Sequence, residues 1–297
     1  MRTYGFLDPV VLARIDNLEL LARTVVDGFI NGLHRSPYLG LSIDFAEHRP
    51  YMPGDDIRRI DWRVFGRTDR FYVKEFEADT NANFIAILDI SRSMDYTSDG
   101  ISKLDYGRYL AACLSYFSRQ QRDRVGLVTI DSDVVEMVPP SAKHLDIVLH
   151  TIDRISPGGR GELEVPLLKI AEAIKRRSIV ALISDLYQEP SSVLRALKYL
   201  QNKGNDVLVF HVLDRAEIDF PFEGAVNMED LESGERIPVV PERQRQKYLE
   251  LMRAHLGEIA RLLAESRMDY FLFDTSQPLD YALFKYLSRR ESLSRVR

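Results

Sequence analysis

The chain has 297 residues, 45% of them hydrophobic, which is too long for one minimal domain and enough for a sizeable core. A formal net charge of −5 argues against a protein that coats nucleic acid, and the single cysteine, Cys113, excludes an intrachain disulfide. Lone-cysteine usage fits a reducing compartment, and the sequence shows neither a signal-peptide pattern nor a transmembrane run, so a cytoplasmic location is expected.

The first element is an amphipathic helix. Val11, Ile15, Leu18, Ala22, Val25, Phe29 and Leu33 step by three and four, while Arg14, Asp16, Glu19, Arg23 and Asp27 exclude a membrane span. Its apolar face is expected to pack on its own domain. Residues 36–80 are irregular, punctuated by Pro37, Pro50, Pro53 and Gly54. Alternation around Phe71 to Phe76 predicts one or two strands leading into the main sheet. The basic series Arg58, Arg59, Arg63, Arg67 and Arg70 is interleaved with Asp55, Asp56, Asp61, Asp69, Glu75 and Glu77, so it reads as mixed surface charge and not as a phosphate-binding strip. Trp62, in its middle, is expected to anchor this segment against the sheet domain.

From residue 84 apolar strands alternate with helices. "NFIAILDI", "RVGLVTID", a short "DVVEMV", "SIVALISD", "DVLVFHVLD" and "DYFLFDT" make six strands. Helices fall on "KLDYGRYLAACLSYFSRQ", "SAKHLDIVLHTIDRI" (capped by Ser141), the stretch after the Pro-Gly-Gly loop at 157–159, "PSSVLRALKYLQNKG", the long "PERQRQKYLELMRAHLGEIARLLAESR" and "PLDYALFKYLSRR". Residues 214–240 break the rhythm with an inserted hairpin turning at "ESGE". The pattern predicts a doubly wound α/β fold with a mostly parallel sheet covered on both faces. A small N-terminal helical and β annex at 1–80 precedes the main domain at 81–297.

In such sheets ligands bind beyond the carboxyl ends of the strands. Asp89, Asp131 and Asp185 all end strands; Asp131 reads as a turn former. Asp89 differs because Ser91 and Ser93 follow at alternate positions, and a tight loop can turn three hard oxygens toward one point. Mg²⁺ or Mn²⁺ takes such oxygens and keeps several waters.

The Asp-x-Ser-x-Ser loop followed by Met94 resembles the metal-ion-dependent adhesion site of von Willebrand factor A domains. The stretch "YMPGDDIRRIDWRVFGRTDRFYVKEFEAD", residues 51–79, immediately before it is similar to the bacterial domain of unknown function 58 family. The resemblance spans roughly residues 35–215 and implies a Rossmann-like von Willebrand factor A fold. It also implies work beside a MoxR-type AAA+ ATPase, in chaperone-like assemblies that remodel proteins or insert metal. The implied metal set is Asp89, Ser91, Ser93 and Asp185. The family pattern takes a threonine from the second loop, where this chain has Gly161 followed by Glu162. Either Glu162 or water then fills the gap, or the site is weak, or the loop keeps its shape through hydroxyl-to-backbone bonds without a metal.

Catalytic patterns are thin. Ser91 stands where a haloacid-dehalogenase phosphatase would carry its second aspartate, and "SPGGRGE" lacks the Gly-Lys-Ser/Thr ending of a P-loop. No His-Glu-x-x-His or Gly-x-Ser-x-Gly occurs. The expected function is a non-enzymatic adaptor that binds protein partners; the alternative is a metal-dependent hydrolase using Asp89 and Asp185.

Overall fold

The computed structural model describes residues 9–15, 17–34, 48–50, 65–66, 71–74, 82–231 and 233–295. Trp62, the interleaved charges of 55–70 and most of the 51–79 family stretch lie outside them.

Six strands form one sheet: β3 (Asn83–Asp89), β4 (Arg124–Ile130), β5 (Val134–Ser141), β6 (Ser178–Ser184), β7 (Asp206–Leu213) and β10 (Asp269–Asp274). Their order is β10-β7-β6-β3-β4-β5, with every neighbouring pair parallel except β4 and β5. From β3 the chain builds outward through β4 and β5, then returns to the other side of β3 and builds through β6, β7 and β10. The sequence direction therefore reverses between β3 and β6, the position where doubly wound sheets open a crevice.

Burial follows the two-residue period of a strand. In β3, Phe84, Ala86 and Leu88 enter one core, while Ile85 and Ile87 enter the other. The first core is covered by α3 (Lys103–Gln120), α4 (Leu145–Asp153) and α9 (Leu279–Arg295); the second by α5 (Glu164–Ala173), α6 (Pro190–Asn202) and α8 (Pro241–Glu265). With helices on both sides, β3 and β6 are buried along their whole length. α3 lies close to the sheet at Gly107, where a Cβ would meet Leu88 Cδ1 at 2.9 Å.

The N-terminal stretch divides into α1 (Pro9–Leu12) and α2 (Leu18–His34). α2 joins the first core through Leu21, Ala22, Val25 and Val26, and Phe29 meets Phe117 edge-on with ring centroids 6.2 Å apart. It packs on its own domain, as its apolar spacing requires, although Val11 of the predicted stripe is exposed. β1 (His48–Pro50) pairs antiparallel with β2 (Tyr72–Lys74) in a separate two-stranded sheet, so the predicted strand near Phe71 does not extend the main sheet.

Two local expectations are corrected. Ser141 does not cap α4; it is the last residue of β5, and the helix begins after His144, whose Nδ1 lies 2.7 Å from the Pro139 carbonyl oxygen. The third strand is not short either. β5 runs eight residues as an antiparallel edge and carries Pro139 and Pro140 just before its last residue, which blunt that edge. The 214–240 insertion contributes α7 (Arg215–Asp219) and the hairpin of β8 (Val226–Glu229) with β9 (Arg236–Val239). Gly234, at φ +72°, makes the turn between them.

Candidate functional site

Three loops meet at the carboxyl ends of β3, β4 and β6. The first begins at Asp89, whose Oδ1 accepts the Ser91 N–H at 2.9 Å, an Asx-type turn that reverses the chain. A 3₁₀ turn over Arg92–Asp95 follows, anchored by fully buried Met94. The turn brings the Ser91 and Ser93 hydroxyl oxygens to 3.2 Å from each other, so the alternate spacing in the sequence does converge them.

The second loop is tied to the first. Gly158 N–H donates to the Ile90 carbonyl at 2.6 Å, and Arg92 N–H donates to the Gly159 carbonyl at 2.9 Å. A Cβ at Gly158 would lie 2.9 Å from Asp131 Oδ2 and 3.1 Å from the Ile90 carbonyl, so a larger residue would crowd both loops. Asp131 is the turn former expected of it: its carboxylate accepts from Asp133 and Gly159 N–H groups, both at 3.1 Å. Gly161 supplies no side-chain oxygen. Glu162 donates its N–H to the Asp131 carbonyl at 3.1 Å and is exposed; among the described residues no hydrogen bond or ion pair joins its carboxylate to the first loop.

The third loop leaves β6 beside Asp89. Leu88 pairs with Ile183, and the Ser184 hydroxyl donates to Asp89 Oδ2 at 2.6 Å while accepting the Leu186 N–H at 3.1 Å. Leu186 turns the chain at φ +50°. Asp89 and Asp185 thus converge on one end of the sheet, as the strand assignment requires.

Electrostatics sets this corner apart. Asp89 is 4% exposed, and burial together with the nearby Asp185 charge pushes its carboxyl up to about 6. Asp185 Oδ2 accepts from Lys103 Nζ at 2.8 Å, and the same ammonium reaches Glu217 Oε1 at 2.7 Å. Lys103 is fully buried, 4.8 Å from the centroid of the Tyr187 ring and 5.8 Å from that of Tyr96. Its two carboxylate partners hold it protonated, raising its pKa against the opposing effect of burial. His211, buried on β7 with its Nδ1 2.8 Å from the Tyr270 hydroxyl, is held neutral by burial, its pKa depressed to about 3.

Sequence reasoning overlooked Lys103, Glu217 and Asp214. Asp214 directly follows β7 as Asp185 directly follows β6, so its position just beyond a strand was a usable signal. Lys103 opens a helix, where a cation opposes the helix dipole, and that mismatch was the signal for it.

The donor set around Asp89 is rich in oxygen and short of positive charge. Asp89, Asp185 and Glu217 bring three carboxyl groups to the one ammonium of Lys103, and among the described residues the buried Asp89 carboxylate accepts hydrogen bonds from Ser91 and Ser184 and has no ion-pair partner. Two hydroxyl oxygens and a carboxylate are hard ligands, and extra positive charge would relieve the imbalance. Asp89, Ser91 and Ser93 therefore fit a hard cation. Asp185 is engaged with Lys103.

The sheet order, the switch point and the strand-end loops define a von Willebrand factor A-like α/β domain. The chain belongs to the DUF58 family, described as a protein of unknown function, whose sequence model matches residues 47–258. It is 29% identical over 262 residues to the uncharacterized proteins Rv1480 of Mycobacterium tuberculosis and Mb1516 of Mycobacterium bovis, covering 86% of this chain and 82% of each relative. Among solved structures it is similar to a conserved hypothetical protein, BatB, from Bacteroides thetaiotaomicron, with a TM-score of 0.50 and 20% identity over 71% of this chain and 99% of that one. A Bacteroides fragilis protein described as an aerotolerance-related membrane protein matches with a TM-score of 0.50 and 19% identity over 70% of this chain and 99% of its own. These structural likenesses bear on fold. Among the described residues of this chain no helix is long and apolar enough to cross a membrane.

Proposed function

We propose that this protein is a non-enzymatic adaptor that recognises an acidic side chain of a protein partner at the Asp89–Ser91–Ser93 loop, with Mg²⁺ or Mn²⁺ held between them. The observation that carries this is the buried Asp89 carboxylate, pushed up to about 6, beside two hydroxyl oxygens 3.2 Å apart. A bound cation would supply a Lewis-acidic position open to an incoming carboxylate. The chain's own residues do the positioning: Ser91 N–H and the Ser184 hydroxyl orient Asp89, and the backbone bonds between Ile90–Arg92 and Gly158–Gly159 hold the loop in place.

The family resemblance supports a MoxR-type AAA+ ATPase as the working partner in a chaperone-like or remodelling assembly. The hydrolase reading has one observation in its favour, since a carboxyl near 6 suits a general base. Against it, both Asp89 oxygens already accept hydrogen bonds, and Lys103 stays protonated and is no base.

Two results are expected. Millimolar Mg²⁺ or Mn²⁺ stabilises the fold by mass action, about 1.4 kcal/mol at ten times Kd, seen as a rise of ~3–6 °C in melting temperature. Ser91→Ala/Ser93→Ala removes the rise. In affinity capture from native lysate, an AAA+ ATPase is retained in Mg²⁺, released by chelator, recovered on adding metal back, and never retained by Asp89→Ala. Retention that persists in chelator and in Asp89→Ala would place the partner elsewhere.

A further inference from the structure

We propose that Lys103 is a positioning residue that withholds Asp185 from the divalent cation and keeps that site weak, leaving Asp89 as the only carboxylate directly attached to a bound ion. The inference rests on the metal-ion reading above and concerns how that site is tuned.

Four groups surround the ammonium. Asp185 Oδ2 and Glu217 Oε1 accept from it at 2.8 and 2.7 Å, and the rings of Tyr187 and Tyr96 lie at 4.8 and 5.8 Å. The side chain is fully buried, so it cannot swing into water without opening the cluster. Glu217 is itself held, because its Oε2 accepts the Asp214 N–H at 2.8 Å in the capping box of α7. Asp185 therefore faces a fixed cation that is part of the chain.

Helix formation does not account for this lysine. Lys103 is the first residue of α3, directly after the N-cap Ser102, and a positive charge there is disfavoured by the helix dipole. Nor does simple stability require an ion pair, since buried pairs roughly break even against apolar replacements. What a fixed ammonium at Asp185 does achieve is electrostatic. It removes a carboxylate from the reach of a metal and repels a second cation nearby. An ion held by Asp89, Ser91 and Ser93 then keeps more of its charge for an incoming acidic group, and it binds more weakly while that group is absent.

The test measures Mn²⁺ affinity from the electron paramagnetic resonance signal of the free ion, with the fold followed by thermal melting. Lys103→Met is expected to bind Mn²⁺ at least tenfold more tightly than the native chain, even though its metal-free fold melts lower. Because Lys103→Met leaves two buried carboxylates facing each other, Lys103→Met/Glu217→Gln is measured beside it and is expected to show the same gain. Adding Asp185→Asn to either variant should cancel the gain. A purely structural lysine would lower stability without tightening the metal. If the native chain binds Mn²⁺ and the lysine variants bind it no better, the role assigned to Lys103 is wrong while the metal reading stands. If only the lysine variants bind, Lys103 acts as proposed and the native protein works without metal. If none binds, both readings fail.

Discussion

Asp214→Ala is expected to destabilise the fold by ~3 kcal/mol, lowering the melting temperature by about 7 °C. Asp214 directly follows β7 and is 1% exposed. Its carboxylate accepts the Ser98 N–H at 2.9 Å, the Ser98 hydroxyl, and the Ala216 N–H at 2.8 Å. Alanine leaves the buried Ala216 N–H unpaired, at a cost of about 1–3 kcal/mol, and frees the two donors of exposed Ser98 to water at a smaller cost. That Ala216 bond is also the N-cap of α7. The loss should reach the site, because Ser98 belongs to the loop running from the Asp89 turn to Lys103, and Glu217 shares the capping box. Asp214→Asn keeps one acceptor oxygen and should lose roughly half as much. A melting temperature within ~2 °C of the native chain in Asp214→Ala would show that this clasp contributes little.

The second large effect has the opposite sign. In chelator, Asp89→Asn is expected to stabilise the protein above pH 7, by up to ~3 kcal/mol, while abolishing metal binding. The folded state raises the Asp89 carboxyl from 3.8 to about 6, chiefly through burial and then through the Asp185 charge. A rise of that size corresponds to about 3 kcal/mol. Between those two values the folded chain holds a proton that the unfolded chain has released, so stability falls as pH rises through this window. Below pH ~4 both states are protonated and the penalty is absent; above ~6 it is felt in full. Asparagine never ionises and escapes it. Other carboxylates shift in both directions, Asp133 held low by its hydrogen bond from Lys169 and Glu217 and Asp280 raised by burial, so the quantity to follow is the difference between the two proteins. That difference should be near zero at pH 4 and open as pH rises to 7. A constant difference would mean that Asp89 is not the strained group. The cost in the metal-free protein is what a site kept for a cation would show, since function-bearing residues are often destabilising.

The two predictions draw on features of unequal visibility in the sequence. Strand placement was legible because β3 and β6 are short, unbroken apolar runs ending in an acid, a pattern that two-sided burial imposes. The convergence of Asp89 with Asp185 followed from the doubly wound order alone, and the Ser91–Ser93 pairing followed from alternate spacing in a tight turn. Ser141 misled because a serine before an apolar periodic stretch looks like a cap, whereas the long β5 edge claimed it first. Lys103 offered one signal, a cation at a helix start in "SKLDYG", but nothing local showed it to be buried. Its burial depends on Asp185 and Glu217, 82 and 114 residues further along the chain, and such long-range pairs leave no local periodicity. Glu162 could not be placed from sequence for a similar reason. Its backbone is tied through its N–H to the Asp131 carbonyl, a contact 31 positions back that leaves no local pattern.

The central claim is that Asp89, Ser91 and Ser93 hold one divalent cation open to an acidic ligand. The most direct measurement is a Mn²⁺ titration of the native chain, Asp89→Ala and Ser91→Ala/Ser93→Ala, followed by the electron paramagnetic resonance signal of the free ion. The account predicts one site on the native chain, its loss in both variants while the fold is retained, and a change in the bound-ion relaxation of solvent water when acetate is added. A native chain that leaves all the Mn²⁺ free at millimolar concentration, or one that binds it equally well without Asp89, would contradict it.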